Sequence, residues 1–211
     1  MLRSFFRDNG LTLVLTAMFV LSVGGMIFTG QAAYNKELID HGATTIGLLS
    51  YLRSGNFLSA LFENWESEFL QMAVYVVLTA MLFQRGSAES RDPDDPHRPA
   101  DQWHPQGWRP IAVWIYERSL GLALALLFIA SFVLHWWFSL VAANEEAALH
   151  GGQPSSLLEH LGDPQLWFES FQNWQSEFLS TALLVLLSIF LRHRGSPESK
   201  PVSAANSETG A

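Results

Sequence analysis

Glu68 and Glu177 are the residues of this chain whose type and spacing could do chemistry. Each closes a motif, Phe62-Glu-Asn-Trp-Glu-Ser-Glu-Phe-Leu70 in one case and Phe171-Gln-Asn-Trp-Gln-Ser-Glu-Phe-Leu179 in the other, and each leads into an apolar run. A charged side chain in hydrocarbon costs ~2.5–3.5 kcal/mol at mid-bilayer, so depth decides what these carboxylates mean. Counted back from Arg85 and Arg194 at ~1.5 Å per residue, each lies roughly 25 Å from the basic end of its segment, close to the outer boundary of a membrane core. On the simpler reading both reach headgroup water there, organised by Asn64 and Asn173 one helical turn earlier. On the sharper reading the two segments face each other. Two carboxylates in a shared, partly dry site cannot both ionise cheaply, so the pair would hold a proton or a cation, capped by Trp65 and Trp174, with Ser67 and Ser176 as donors.

Other titratable groups form weaker patterns. His135 stands beside Trp136 and Trp137 in an otherwise uncharged apolar run, and adjacent tryptophans mark an aromatic belt, so an interfacial histidine is expected rather than a proton relay. His97 and His104 lie among Asp92, Asp94, Asp95 and Asp101, but five prolines and the absence of an established ligand spacing make this a mobile linker rather than a metal site. His41, His150 and His160 read as scattered loop histidines. No metal site and no cofactor is expected. There is no Gly-x-Ser-x-Gly elbow, no His-Glu-x-x-His helix, no phosphate-cradling loop and no dinucleotide fingerprint, and the chain is not expected to be an enzyme. Cysteine is absent, which excludes disulfides and thiolate metal sites.

The elements that must position these residues are apolar. Leu120 to Ala143 carries no formal charge and exceeds the roughly 20 residues that cross a bilayer, and Leu11 to Gly30 is nearly as apolar. Phe69 to Phe83 and Phe178 to Leu191 are shorter and need their preceding residues to complete a crossing. Those residues are rich in Phe, Leu and Trp, as suits the headgroup level. Asn56 and Asp163 are the expected N-caps of these two helices, with Pro164 at the first helical position. The first apolar run is too long for a signal-peptide core, and its pattern of Arg7, Gly10, Leu11, Leu13 and Leu15 returns as Arg118, Gly121, Leu122, Leu124 and Leu126.

The net charge of −8 gives no basic footprint for nucleic acid. Lys and Arg cluster before the first apolar run, between the second and third, and after the fourth. Only Lys36 and Arg53 fall on the other side, and 144–177 has neither Lys nor Arg. The positive-inside rule therefore puts both termini and the central linker in the cytoplasm.

The chain repeats itself. From Phe62 to Ser90 against Phe171 to Ser199, roughly 16 of 29 positions are identical, too many for two hydrophobic helices matched by composition. The expected architecture is an all-α membrane protein with four transmembrane helices as two parallel-oriented two-helix repeats. Repeat 1 covers 1–90, a Pro-rich cytoplasmic linker 91–110, repeat 2 covers 111–199, and 200–211 form a disordered cytoplasmic tail. The Glu/Gln-Asn-Trp-Glu/Gln-Ser-Glu-Phe-Leu segment, followed by an apolar helix and Arg-Gly-Ser-x-Glu-Ser, resembles a family of bacterial inner-membrane proteins known as a domain of unknown function. That resemblance extends to Asn9-Gly10-Leu11 and Ala33-Tyr34-Asn35. It implies a bacterial plasma-membrane location and supplies no reaction, ligand or catalytic residue. The expected role is non-catalytic, structural or partner-binding, in contact with the lipid bilayer and with a second copy or another membrane protein. The alternative is a small proton- or cation-linked translocator or sensor.

Overall fold

The computed structural model describes residues 2–95 and 106–210, so the expectation for His97 and His104 lies outside the described residues. Among the described residues every regular element is helical: α1 (Leu2–Asp40), α2 (Leu48–Tyr51), α3 (Gly55–Met81), α4 (Pro110–Glu117), α5 (Ser119–Leu149), α6 (Leu157–Leu161) and α7 (Pro164–Phe190). Among the described residues two stretches are long and apolar enough to cross a membrane, Phe5–Asp40 with a mean hydropathy of 2.2 and Ser119–Leu149 with 2.1. Helices α3 and α7 have 27 residues each, about 40 Å of helix. They have the length but not the apolarity, because their first halves carry Glu63, Glu66 and Glu68 in α3, and Glu169 and Glu177 in α7.

The chain packs as two compact units, Met1–Leu61 with Trp136–His160, and Phe62–His135 with Leu161–Ala211. Each draws on both halves of the sequence, and α3 and α5 contribute to both.

In the first unit the helix ends are held by short polar residues. Asn35 accepts from the Ile46 amide at 2.8 Å and donates to the Ile46 carbonyl at 3.0 Å. Asn144 treats Ser155 identically, at 2.8 and 3.1 Å. Gly42 (φ +72°) and Gly151 (φ +69°) turn the chain out of α1 and α5 in the left-handed conformation that glycine tolerates. The cap of α3 is Ser54, not Asn56: its Oγ accepts from the Phe57 amide at 3.3 Å, and Asn56 lies inside the helix. Gly55, the first residue of the helix, passes so close to the backbone of Ala142 that a Cβ there would collide with it. Ser156 and Glu159 cap α6 reciprocally, the Ser156 amide donating to the Glu159 carboxylate at 2.8 Å. That bond holds the Glu159 carboxyl below its usual range.

In the second unit α7 starts as the sequence predicts, with Asp163 accepting from the Gln165 amide at 2.8 Å and Pro164 at the first position. The turns that leave α3 and α7 are built alike. In one, Ser90 Oγ accepts from the Gln84 amide at 2.8 Å, Ser87 Oγ from the Glu89 amide at 3.1 Å, and Gly86 has φ +85°. In the other, Ser199 Oγ accepts from the His193 amide at 2.8 Å, Ser196 Oγ from the Glu198 amide at 3.2 Å, and Gly195 has φ +84°.

Residues 200–210 carry hydrogen bonds within the segment and to the turns after α3 and α7. Lys200 Nζ donates to the carbonyls of Ala205, Asn206 and Glu208 at 2.9–3.1 Å. Arg192 donates to the Ala204 carbonyl, the Gly86 amide donates to Thr209 Oγ1, and the Gly210 amide donates to the Ser87 carbonyl, each at 2.9 Å. The composition of the tail is polar, but its backbone groups find partners that a sequence does not display.

Candidate functional site

Helix α5 turns one stripe inward. Leu124, Ser131 and His135 are buried, with Phe128 half-buried between the first two, at the three- and four-residue spacing of a helix face. Small serine at 131 leaves room on that stripe, and His135 is 0% exposed. Roughly 25 Å of helix at ~1.5 Å per residue separates it from Arg118, so it lies well along an apolar helix of membrane-crossing length.

Helix α3 supplies Glu63 and Glu66, three residues apart and therefore on one face. Glu66 is also 0% exposed. One of its carboxylate oxygens lies 2.7 Å from His135 Nδ1, and the other accepts from Trp174 Nε1 at 2.9 Å. Helix α7 supplies Glu169, Asn173 and Trp174. The Asn173 amide donates to Glu63 and to the Glu169 carbonyl. Glu169 Oε2 lies 3.5 Å from His135 Nε2. The donor atoms of Glu63, His135 and Glu169 all fall within 4.8 Å of one another.

Aromatic rings form one flank of the cluster. Phe128 meets Trp174 with centroids 6.3 Å apart, Phe132 meets Trp167 at 5.9 Å, and Phe171 joins Trp167 and Trp174 at 6.0 and 5.2 Å. Edge and tilted contacts of this kind pack densely. They put apolar surface beside the charges, which strengthens every electrostatic interaction inside.

The residues singled out from the sequence divide. Asn173 and Trp174 belong to the cluster. Glu68 is exposed and Glu177 half-buried, close enough for their charges to act on each other. Ser67 and Ser176 donate back to the Asn64 and Asn173 carbonyls of their own helices, at 2.9 and 2.8 Å. Trp65 packs edge-on against Phe62 at 5.4 Å. Asn173 bonds Glu63 rather than Glu177, while Asn64 is exposed. His135, read as an interfacial histidine, is instead enclosed, because its helix turns it toward Glu66 rather than toward the belt. Nor are the outer-loop histidines scattered: the His41 and His150 rings meet edge to face at 4.9 Å, and His160 Nε2 lies 3.0 Å from Ser139 Oγ.

Glu63, Glu66, Glu169 and His135 are the residues that sequence reasoning missed as a group. A usable signal was present: where Gln172 and Gln175 stand in one motif, Glu63 and Glu66 stand in the other. The two positions of the motif where the copies differ supply carboxylates of the cluster, and the preserved Asn173 and Trp174 supply their donors.

An all-helical chain with two helices of membrane-crossing character and a buried carboxylate–imidazole cluster is the class this geometry defines. The chain belongs to the family described as a domain of unknown function, DUF6766, whose model matches residues 2–211. No curated protein and no solved structure matches it.

Proposed function

We propose that this protein is a multi-pass bacterial inner-membrane protein that takes a cation into the Glu63–Glu66–His135–Glu169 cluster from the extracytoplasmic side, as a small translocator or sensor without enzymatic activity. Four crossings in two repeats, with both termini in the cytoplasm, are the arrangement this reading adopts. It draws support from the distribution of Lys and Arg, and from the matched turns after α3 and α7 together with the matched Asn35 and Asn144 clamps. The third apolar segment then carries His135 at membrane depth.

The observation that carries the reading is the fully enclosed pair of His135 and Glu66, 2.7 Å apart. Ionisable groups inside an apolar helix bundle are expensive, and where they occur they pair with one another and mark ion or proton routes. A purely structural role offers nothing to offset three carboxylates around one imidazole. An apolar core would serve packing as well or better.

The test is reconstitution into liposomes under separate gradients of protons, sodium and divalent cations. A reporter cysteine at Glu68 is clean because the chain has no other thiol. Cation-dependent flux, or a cation-dependent change in maleimide labelling, is expected in the natural chain and absent in Glu66→Gln. Indifference of both readouts to every cation would overturn the reading.

A further inference from the structure

We infer that the cluster is a site for one divalent transition-metal ion, with Glu63, His135 Nε2 and Glu169 as ligands and Glu66 as the group that orients the imidazole. This rests on the cation-binding reading above and names the class of cation.

The imidazole carries the argument. His135 Nδ1 is engaged by Glu66 at 2.7 Å, while Nε2 is buried and has no hydrogen-bond partner among the described residues. At 3.5 Å the Glu169 oxygen is beyond the length of a good hydrogen bond. That same distance is close to the edge of a tetrahedron with bonds of about 2.0–2.2 Å, which is the separation expected of two ligands on one zinc-like ion. A histidine that donates one ring N–H to a carboxylate presents the lone pair of the other nitrogen, and this is how metal-ligating histidines are commonly fixed. Glu66 is itself fixed by Trp174, and Glu63 by Asn173. Gln165 donates to Glu169 at 2.8 Å, so all four side chains that would have to hold still are held by another.

Charge points the same way. Three carboxylates surround one imidazole, and the charged groups that act on Glu63 and on His135 are carboxylates and the imidazole, with no Lys or Arg among them. A dication offsets most of the charge of such a set, and the aromatic flank raises the cost of leaving it uncompensated. One imidazole and two carboxylates suit zinc, manganese, iron(II) or cobalt(II), whereas calcium and magnesium prefer oxygen ligands alone. With three protein ligands, a fourth position stays open for water.

The experiment uses the full chain in nanodiscs, stripped with a chelator and dialysed against Zn2+, with Co2+ as a spectroscopic probe. About one ion per chain with micromolar or tighter affinity is expected, unaffected by millimolar Mg2+. Glu63→Gln and Glu169→Gln should each weaken it at least tenfold. Glu66→Gln, which touches no metal, should weaken it about 10–100-fold and shift the Co2+ absorption, a change a merely structural substitution would not make. Helical circular dichroism of each variant separates lost ligation from lost folding. The inference is overturned if the folded natural chain takes up no Zn2+ or Co2+ at millimolar concentration, if uptake survives Glu63→Gln with Glu169→Gln, or if it disappears in His41→Ala instead. Proton or sodium flux that depends on Glu66 in a chain that binds neither metal overturns this inference alone and leaves the broader reading standing. Saturable metal binding lost with the ligands, but without flux or labelling change, upholds the site and turns against translocation and sensing.

Discussion

Helices α3 and α7 end alike and begin differently. At their C-terminal ends each runs into a glycine with φ near +85° and a pair of serines that accept the same two backbone amides. In their first halves, Glu63 and Glu66 of α3 meet His135, Glu169, Asn173 and Trp174, while Gln172 and Gln175 hold the corresponding places in α7. The matched ends solve a backbone problem, the unsatisfied groups at a helix terminus, and any chain that leaves a helix this way can use the same serines. The two Glu/Gln differences within the otherwise matched first halves solve a problem of charge, which arises once in the unit and needs different residues on each helix. Agreement at the helix ends therefore marks scaffold, and the two Glu-for-Gln differences mark the carboxylates of the cluster, whose donors Asn173 and Trp174 come from positions the copies share.

The comparison breaks first at His135. Replacing it with leucine leaves Glu66 buried without its imidazole, and stability should fall by about 3–5 kcal/mol, the usual cost of removing one partner from a buried ion pair. Denaturant unfolding in detergent measures it. A loss below about 1 kcal/mol would mean that the pair is not enclosed and that the difference between the two regions is superficial.

The glycines sharpen the comparison from the other end. Gly86→Ala and Gly195→Ala both force a left-handed backbone on a residue with a side chain, at about 1–2 kcal/mol each. A Cβ at Gly86 would in addition meet the Asn206 carbonyl, whereas one at Gly195 meets nothing. Thermal unfolding should rank Gly86→Ala clearly below Gly195→Ala. Equal losses would mean that the tail does not press on the first turn.

Ser90→Ala and Ser199→Ala should cost the same, about 1 kcal/mol each, since each removes one acceptor from a backbone amide. If one costs twice the other, the turns are alike in geometry but not in energetics.

The smallest effect is that of pH on Glu89. Burial, with Glu198 alongside, raises its carboxyl above the usual range against the opposing hydrogen bond from Tyr75. A raised carboxyl binds its proton more tightly in the folded chain than in the unfolded one. Its contribution is therefore most favourable below the ordinary carboxyl value and declines as pH rises through the raised one. Glu89→Gln should flatten this part of a melting-temperature profile between mildly acidic and neutral pH, and raise the neutral end slightly. An unchanged profile would mean that Glu89 is solvated like any surface acid.

Much of the helical framework could be read from the amino acids. The apolar runs, the Asp163 cap and the proline after it are local features, and helices α1 and α5 are long and apolar where expected. The start of α3 was misplaced because Asn56 is as good a cap by type as Ser54. Ser54 Oγ takes the Phe57 amide beside the close approach of Gly55 to Ala142, a contact between distant residues that no local pattern reveals. The Glu-for-Gln differences flag Glu63 and Glu66, but which partners they meet was illegible for the same reason on a larger scale. His135 and Glu66 are 69 residues apart in the chain, and Trp174 and Glu66 are 108 apart. Only the rotation of three helices decides that they meet. Glu68 and Glu177 were prominent because they repeat, and repetition is informative about packing and turns rather than about which carboxylate is enclosed.

The tail that closes on the first turn has a consequence for biogenesis. Gly86 donates its amide to Thr209, 123 residues further on, and Ser87 receives the amide of Gly210. A ribosome makes these partners long after α3 has left it, so the turn behind α3 waits, its backbone served by water, until α7 and the tail have emerged. This face of the protein is therefore completed only after Thr209 and Gly210 have been made, and a chain cut before Thr209 would display the open turn to the proteases that survey newly made proteins.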